Sequence, residues 1–340
     1  MTSTPTVAAV IVTYGKRWGL LSRAVEAVMK DEYIKILIIV DNGSKNEEDI
    51  VRGVSSFREK VQIVRSDKNL GSAGGFALGI EHVRKVDCDY VLLLDDDNLL
   101  EDGAVALFLD VKKKIGQENV VLVGNRVNIP GNQEIYYSNE QEISQPKKTF
   151  FETISYKKIK HFLDLAFGKD TLPIPFRTKP KVYVANESFV YGGAFLPIEA
   201  VRKAPLPDGN LVLYGDDIEY SWGVKDVGYS SYVCYSPKIY DIEMSFGEGS
   251  QVVGMFDEKV LPYKIFYRIR NMVLISRRNS QQSVLLLFFN IVIWTIGVCV
   301  LGLLKYGINF FFLKKVRLII QAVYNGYFPT TALPKDVLLP

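Results

Sequence analysis

The segment Tyr90-Val91-Leu92-Leu93-Leu94-Asp95-Asp96-Asp97-Asn98 constrains the fold most, because an uninterrupted apolar run stops at three consecutive carboxylates. A run without polar alternation predicts a strand covered on both faces, the kind found in parallel sheets. Open α/β sheets place ligands at the carboxyl ends of their strands, so the aspartates fall on the ligand edge. Three adjacent like charges repel one another. A hard divalent cation with phosphate oxygens in its shell relieves that repulsion. A solvated acidic turn capping the next helix, shared with Glu101 and Asp102, is the alternative.

Short β-branched or aliphatic runs recur at 7–12, 36–40, 61–64 and 120–123. Trp18, Leu21, Val25 and Val28 stand at helical spacing between the first two, and a second helix is expected over 75–85 behind a glycine-rich turn. This alternation predicts an α/β domain with a mostly parallel central sheet. From 125 to 181 the chain turns rich in Lys, Pro and Tyr without a period, which predicts an insertion or mobile segment over the site.

Charge divides the chain of 340 residues unevenly: the net charge is +3, yet no Asp or Glu occurs between Lys259 and Lys335, a segment with eleven Lys and Arg. The remainder therefore carries about −8. A basic tail of this kind is drawn to an anionic membrane surface. Nucleic acid is the competing anion and ranks lower, since the basic residues are interleaved with long aliphatic runs and not with groove-reading polar side chains; no nucleic-acid partner is expected. Residues 279–304 contain no charged side chain over 26 positions, enough for a helix to cross a hydrocarbon core of about 30 Å. Arg268, Arg270, Arg277 and Arg278 precede this run, and Lys305, Lys314, Lys315 and Arg317 follow it, so both flanks read as cytoplasmic. An interfacial helix or a returning hairpin suits that symmetry better than a single span, with a buried core helix as the remaining alternative. Cys88, Cys234 and Cys299 show no paired or metal-type spacing, which predicts neither disulfide nor zinc and fits a reducing compartment. The apolar stretch 7–12 is too short for a signal peptide. The body is expected in the cytoplasm, at the inner face of the cell membrane.

Val10-Ile11-Val12-Thr13-Tyr14-Gly15 is followed by Asp41-Asn42-Gly43-Ser44, by Asn69-Leu70-Gly71-Ser72-Ala73-Gly74-Gly75-Phe76 and by the aspartate triplet. Tyr191-Gly192-Gly193-Ala194-Phe195, Tyr214-Gly215-Asp216-Asp217-Ile218-Glu219-Tyr220 and Tyr267-Arg268-Ile269-Arg270-Asn271 continue the series. Their order and spacing resemble the family 2 glycosyltransferases of GT-A fold over most of residues 5–275. The triple aspartate and the Gly-Gly-Phe turn look more like the bacterial galactofuranosyltransferase branch than the rhamnosyltransferase branch. The resemblance implies a Rossmann-like nucleotide-sugar-binding domain over 1–275, followed by basic, apolar, membrane-associating helices over 276–340. It further implies an inverting, metal-dependent transferase that moves a sugar, galactofuranose from UDP-galactofuranose, to a lipid-linked glycan in cell-surface polysaccharide synthesis such as that of O-antigen. A rhamnosyl- or hexopyranosyltransferase of the same fold is the alternative.

Residue by residue, the donor side is expected to use Thr13, Asp41, Asn69, Gly71, Gly74, Gly75, Asp95 and Asp96. Asp41 ends the second strand, where a carboxylate accepts from a nucleobase or ribose; an Asx turn in Asp-Asn-Gly-Ser is its structural alternative. The glycines permit close backbone approach, and a helix amino terminus at Gly75 offers amides to phosphate, although a plain turn explains the cluster too. Alternation along a strand end sends Asp95 and Asp97 to one side, as metal ligands for Mn2+ or Mg2+, and Asp96 to the other, toward ribose. Asp216 and Asp217 open an amphipathic helix; the resemblance makes Asp217 the general base, with Asp216, Glu219 and Trp222 toward the acceptor, Trp222 being equally suited to the core. Related enzymes complete the metal site with a later histidine. Here the only histidines are His82 and His161, and Tyr240-Asp241-Ile242-Glu243 occupies that place, so Asp241 or Glu243 is expected to substitute.

Two other functional classes compete with this reading. A dinucleotide-dependent oxidoreductase needs G-x-G-x-x-G after the first strand, where this chain has Thr13-Tyr14-Gly15-Lys16-Arg17. A non-catalytic, membrane-anchored sugar-nucleotide-binding protein would have no use for intact Asp95, Asp97 and Asp217.

Overall fold

The computed structural model of the protein describes residues 4–128, 134–137, 149–151, 179–243, 253–329, 337 and 339. The chain divides into two units, one built from 1–143, 175–212 and 216–244, the other from 144–174, 213–215 and 245–340. This division differs from the expected 275/276 boundary, because the helix Pro262–Asn279 belongs with the helix Phe310–Tyr327. At Gly326 the two helices approach so closely that an added Cβ would lie 2.4 Å from the Arg270 carbonyl oxygen. Most of the expected insertion at 125–181, His161 included, lies outside the described residues.

In the first unit nine strands form one sheet among the described residues: β1 Val7–Thr13, β2 Ile34–Asn42, β3 Val61–Ser66, β4 Tyr90–Asp95, β5 Asn98–Leu100, β6 Val120–Arg126, β7 Tyr183–Asn186, β8 Ala194–Pro197 and β9 Ser230–Asp241. Their order is β3-β2-β1-β4-β8-β6-β9-β5, with β7 also on β9. The parallel arrangement expected from the alternation holds for β3-β2-β1-β4 and for β6 with β9. β8 runs antiparallel between β4 and β6, and β5 and β7 run antiparallel to β9, so the far half of the sheet is mixed. Four strands expected from the apolar runs extend one or two polar residues further, to Thr13, Asn42, Ser66 and Asp95, and β6 extends three residues further, to Arg126.

Both faces of the sheet are covered. Ile11, Leu37, Ile39, Leu92 and Leu94 pack in one core with Leu21, Val25 and Val28 of α1 (Trp18–Met29) and with Phe108 of a later helix, Ala104–Ile115. Val10, Ile38, Val40 and Leu93, one position out of phase, pack in the other with Phe76 and Ile80. That two-sided burial is why the strands lack polar alternation.

Phe76 and Ile80 belong to the helix Gly71–Val83, which begins four residues before the expected start at Gly75. Asn42 sets this start: its side chain accepts from the Leu70 N–H at 2.9 Å and donates to the Gly71 carbonyl at 2.9 Å. Gly75 is therefore interior, and a Cβ there would lie 2.6 Å from Val12 Cγ1. Gly79 is tighter, with the added carbon 2.5 Å from Val10 Cγ1 and 2.9 Å from Val40 Cγ2. The glycines bring helix to sheet.

The second unit contains the helices Pro262–Asn279, Val284–Tyr306 and Phe310–Tyr327. Ser283 and Asn309 cap the latter two, accepting from the amides of Leu286 at 3.3 Å and Phe312 at 2.8 Å. The uncharged run is thus broken at 280–283, and the 23-residue helix that follows is long and apolar enough to cross a membrane.

Replacing Gly79 by Ala tests the helix–sheet packing. The gain in helix propensity, about 1 kcal/mol, is outweighed by overpacking of about 1 to 3 kcal/mol. Gly79→Ala is expected to lower the denaturant midpoint, and a stabilised variant would contradict the packing described.

Candidate active site

Strand register assembles the site at one edge of the first unit's sheet. Thr13 pairs across from Asp41 and Val12 from Asp95, so the polar ends of β1, β2 and β4 are level. On the far side Asn98 pairs across from Asp241. The chain reverses after Asp95, and the Asn98 side chain fixes that reversal by accepting from the Asp95 N–H at 2.9 Å. The same amide donates to Asp241 Oδ1 at 2.8 Å and to Asp97 Oδ1 at 3.3 Å. Asn98 is fully buried and ties the aspartate triplet to the end of β9.

Two guanidinium groups answer the carboxylates. Arg17 takes Asp96 in a two-pronged pair, Nε to Oδ2 and Nη2 to Oδ1 at 2.8 Å each, and Thr13 Oγ1 donates to the same carboxylate at 2.7 Å. Arg17 also pairs with Glu243 and lies 3.8 Å from Asp97. Asp96, expected to face ribose, is therefore enclosed by side chains of its own unit. Arg126, at the end of β6, pairs with Asp241 through both Nε, at 3.0 Å, and Nη2. The third carboxylate expected at a metal thus holds an arginine. Glu243, its alternative, holds the other.

Asp216 and Asp217 open the helix Asp216–Asp226. Ahead of them Val212 adopts φ +65°, a left-handed conformation costly for a β-branched residue, and its carbonyl accepts from the Ala73 N–H at 3.2 Å. The Gly71 position is so close to that carbonyl that an added Cβ would lie 2.0 Å from its oxygen. Asp216 is buried beside Ser72 and the Tyr191 phenol, whose ring stacks on Phe76 at 3.8 Å between centroids. Asp217 Oδ1 accepts from the Ile218 N–H at 2.8 Å and the residue keeps some solvent exposure. Gly192 leaves room for Asp95, since a side chain there would begin 3.1 Å from Asp95 Oδ2.

The two acidic groups, far apart in sequence, lie in each other's field. Burial first, then Asp97, Asp96 and Asp217, push Asp95 up to about 7, against the lowering effect of Arg126. Burial and the charge on Asp96 push Asp97 up to about 6, with Arg17 opposing. Burial raises Asp217 to about 6, while the Ile218 amide and Arg126 hold it back. Asp216 is raised well above the usual carboxylate range, by burial and then by the charge on Asp217. Neutral Asp216 beside ionised Asp217 is the arrangement that two crowded carboxyl groups adopt.

The remaining expected residues stand in the fold as follows. Asp41 is buried, accepts from the Ser44 amide at 2.9 Å as in an Asx turn, and pairs with Arg65 at 3.1 Å. Asn69 accepts from the Gly71 amide at 2.9 Å, and Gly74 packs on Leu70. Trp222 is buried and Glu219 is half-buried. His82 bonds its own helix at the Leu78 carbonyl. The sequence reading missed Arg17, Asn98 and Arg126. A basic or amide residue just beyond an apolar strand run was the available signal.

Among the described residues, no three His, Cys, Asp or Glu side chains are grouped to hold a metal by themselves. Asp95 and Asp97 nonetheless fit a hard cation of the kind bound through one or two carboxylates with phosphate and water oxygens, because their raised pKa values mark negative charge without full compensation.

Residues 8–169 match the profile described as Glycosyl transferase family 2. Galactofuranosyltransferase GlfT1 of Mycolicibacterium smegmatis is 38% identical over 106 residues, which make up 31% of this chain and 34% of that protein. GlfT1 of Mycobacterium tuberculosis is 33% identical over 103 residues, 30% of this chain and 34% of that protein. The chain thus spans about a third of the length of the curated relatives it matches. Among solved structures, GalNAc-T7 with UDP, GalNAc and Mn2+ superposes with a TM-score of 0.57 at 15% identity, covering 82% of this chain and 48% of that one. S. aureus TarS 1-349 gives 0.52 at 9% identity, covering 95% and 81%. These likenesses are of fold.

Two outcomes test the electrostatics. Arg126→Met leaves the Asp241 carboxylate, 4% exposed, without its cation and is expected to cost about 2 to 4 kcal/mol in denaturant unfolding, below the top of the range for buried pairs because Arg126 is 21% exposed. Adding Asp241→Asn should recover most of it; a single variant of wild-type stability would show that the pair is not structural. The raised carboxyl groups bind protons more tightly folded than unfolded, so their contribution is present below the unfolded value of 3.8 and is lost as pH rises through about 6 for Asp97 and Asp217 and about 7 for Asp95. Thermal melting without added cation should therefore fall between pH 5 and pH 8, about the window of those groups. A midpoint that climbs over that interval contradicts the assignment.

Proposed function

We propose that this chain, whose residues 8–169 match the profile of glycosyl transferase family 2, moves a sugar from a nucleotide-diphosphate donor to an acceptor hydroxyl. The observation that carries this reading is the juxtaposition of Asp95 and Asp97 with Asp217 at one sheet edge, joined electrostatically through Arg126. Asp217 is the base. With a pKa near 6 it is mostly ionised at neutral pH, and a nearly neutral Asp216 leaves it the proton acceptor of the pair. The acceptor oxygen attacks the anomeric carbon in line, its proton passes to Asp217, and the bond to the nucleotide diphosphate breaks with its electrons on the leaving oxygen. One displacement inverts the anomeric centre.

Mn2+ or Mg2+ held by Asp95 and Asp97 would supply positive charge for the diphosphate. Mn2+ appears with UDP in the GalNAc-T7 complex of similar fold, which supports that reading. Asn98 and Arg126 are the groups that keep the acidic turn and the end of β9 in place. Thr13 and Arg17 hold Asp96, and Asp41 stands level with Thr13 at the donor end of β1 and β2.

UDP-galactofuranose is the proposed donor, on the strength of the partial similarity to two galactofuranosyltransferases and of the Asp95-Asp96-Asp97 triplet. A lipid-linked glycan is the proposed acceptor, reached at the cytoplasmic face of the cell membrane, to which the helix Val284–Tyr306 and the basic tail would hold the protein. Holding enzyme and acceptor on one surface raises their effective concentration.

Asp217→Asn is expected to lower kcat/KM by about a hundredfold or more, the usual span of general-base catalysis. Turnover is to be measured with UDP-galactofuranose, UDP-galactopyranose and dTDP-rhamnose, each with Mn2+ and with chelator. Undiminished turnover by Asp217→Asn removes the base assignment. A preference for either other donor replaces the sugar, and chelator-resistant activity removes the cation.

A further inference from the structure

A cavity of about 380 Å³ opens in the second unit beside the first two turns of the helix Phe310–Tyr327. Its walls are of two kinds. Leu261, Phe310 and Phe311 are apolar yet 50%, 75% and 46% exposed, so the cavity meets solvent through a hydrophobic rim. Lys314, Lys315 and Arg317 bring three positive charges to the same lining, against one carboxylate, Glu258. Lys315 is buried and fixed, donating to the Val260 carbonyl, while Lys314 and Arg317 remain exposed. The positive end of the helix dipole adds to the field at this end.

Within the same unit the apolar exposure continues beyond the cavity. Leu304 and Ile308 are 78% and 76% exposed, and at the other end of the helix Val284–Tyr306, Val284 and Leu285 are 74% and 66% exposed. A small inorganic anion would use the lysines and the arginine but leave the aromatic walls wet. An amphipathic ligand with a phosphate head and hydrocarbon chains uses both.

We propose that this cavity is a binding site for the phosphate head group of an anionic membrane phospholipid, with Lys314, Lys315 and Arg317 at the phosphate and the acyl chains along Leu261, Phe310 and Phe311. It rests on the membrane association proposed above, and adds to it a defined lipid site where a diffuse basic surface would otherwise suffice. The phosphate selects anionic lipid; the exposed apolar helices bind any bilayer.

The test uses the full chain in vesicle flotation, with vesicles of phosphatidylcholine alone and of phosphatidylcholine doped with phosphatidylglycerol. The double variant Lys314→Gln/Arg317→Gln removes two exposed cationic side chains and should melt as wild type does. The expected result is a loss of preference for the doped vesicles of about tenfold to thirtyfold, with binding to phosphatidylcholine unchanged. Lys264→Gln/Lys305→Gln, which takes the same charge from the same unit outside the cavity, should retain most of the preference. Equal losses in both variants, or none in either, overturn the site in favour of diffuse attraction or no selectivity. Displacement from the doped vesicles by millimolar inorganic phosphate at constant ionic strength overturns it in favour of a soluble anion. Absence of wild-type binding to either vesicle sinks the membrane reading itself, whereas loss of the lipid site alone leaves that reading standing.

Discussion

Negative charge that the fold buries faster than it neutralises is the constraint on which the rest of the first unit depends. Asp95, Asp96, Asp97, Asp216, Asp217 and Asp241 are brought to one sheet edge, and Arg17 and Arg126 answer them. Burying a carboxylate without a partner costs far more than a single packing contact contributes, so these pairs dictate where the strand ends stand. Arg126 is placed by β6 and Arg17 by the turn before α1, and each takes carboxylates from distant parts of the chain: Asp241 at the end of β9, 115 positions from Arg126, and Asp96 and Glu243, 79 and 226 positions from Arg17.

The scaffold beneath that edge is ordinary packing. β1 is covered on both faces and level with β2 and β4, and the glycines at 75 and 79 set the spacing of the helix that covers one face. The polar edge inherits its precision from this apolar frame, because a register slip by one residue would turn Asp95 and Asp97 to the side now held by Asp96.

Much of this was legible in the sequence, for a definite reason. Two-sided burial leaves an unbroken apolar run, and four such runs marked β1, β2, β4 and β6, while β3, an edge strand with Gln62 within it and no buried residue, was legible from its β-branched residues alone. Their polar last residues were not read as strand, since hydrophobicity stops before the backbone ladder does; Arg126 was missed on that account. β8 is four residues long and its antiparallel direction depends on the turn at Gly193, φ +90°, which no periodicity records. The glycines at 74 and 75 were read as a place for phosphate, whereas the helix starts at Gly71 and both pack on Leu70 and Val12. Asn98 stood next to the triplet, but its tie to Asp241 is a contact across 143 positions and has no local signature.

Pairing, more than proximity, sorts the carboxylates by what they are free to do. Asp41, Asp96 and Asp241 each sit in an arginine pair that includes a hydrogen bond of 3.1 Å or less, and a carboxylate so held is an anchor. Asp95 and Asp217 have no ion pair within 4 Å among the described residues, and Asp97 has one at 3.8 Å. These three are also the ones that burial and neighbouring charge bring to about 6 or 7. A group with a satisfied partner changes its protonation state only by breaking that pair, while a group left short of positive charge responds to whatever cation or proton arrives. The residues suited to bind a cation and to take a proton are therefore those that the protein's own arginines leave incompletely neutralised.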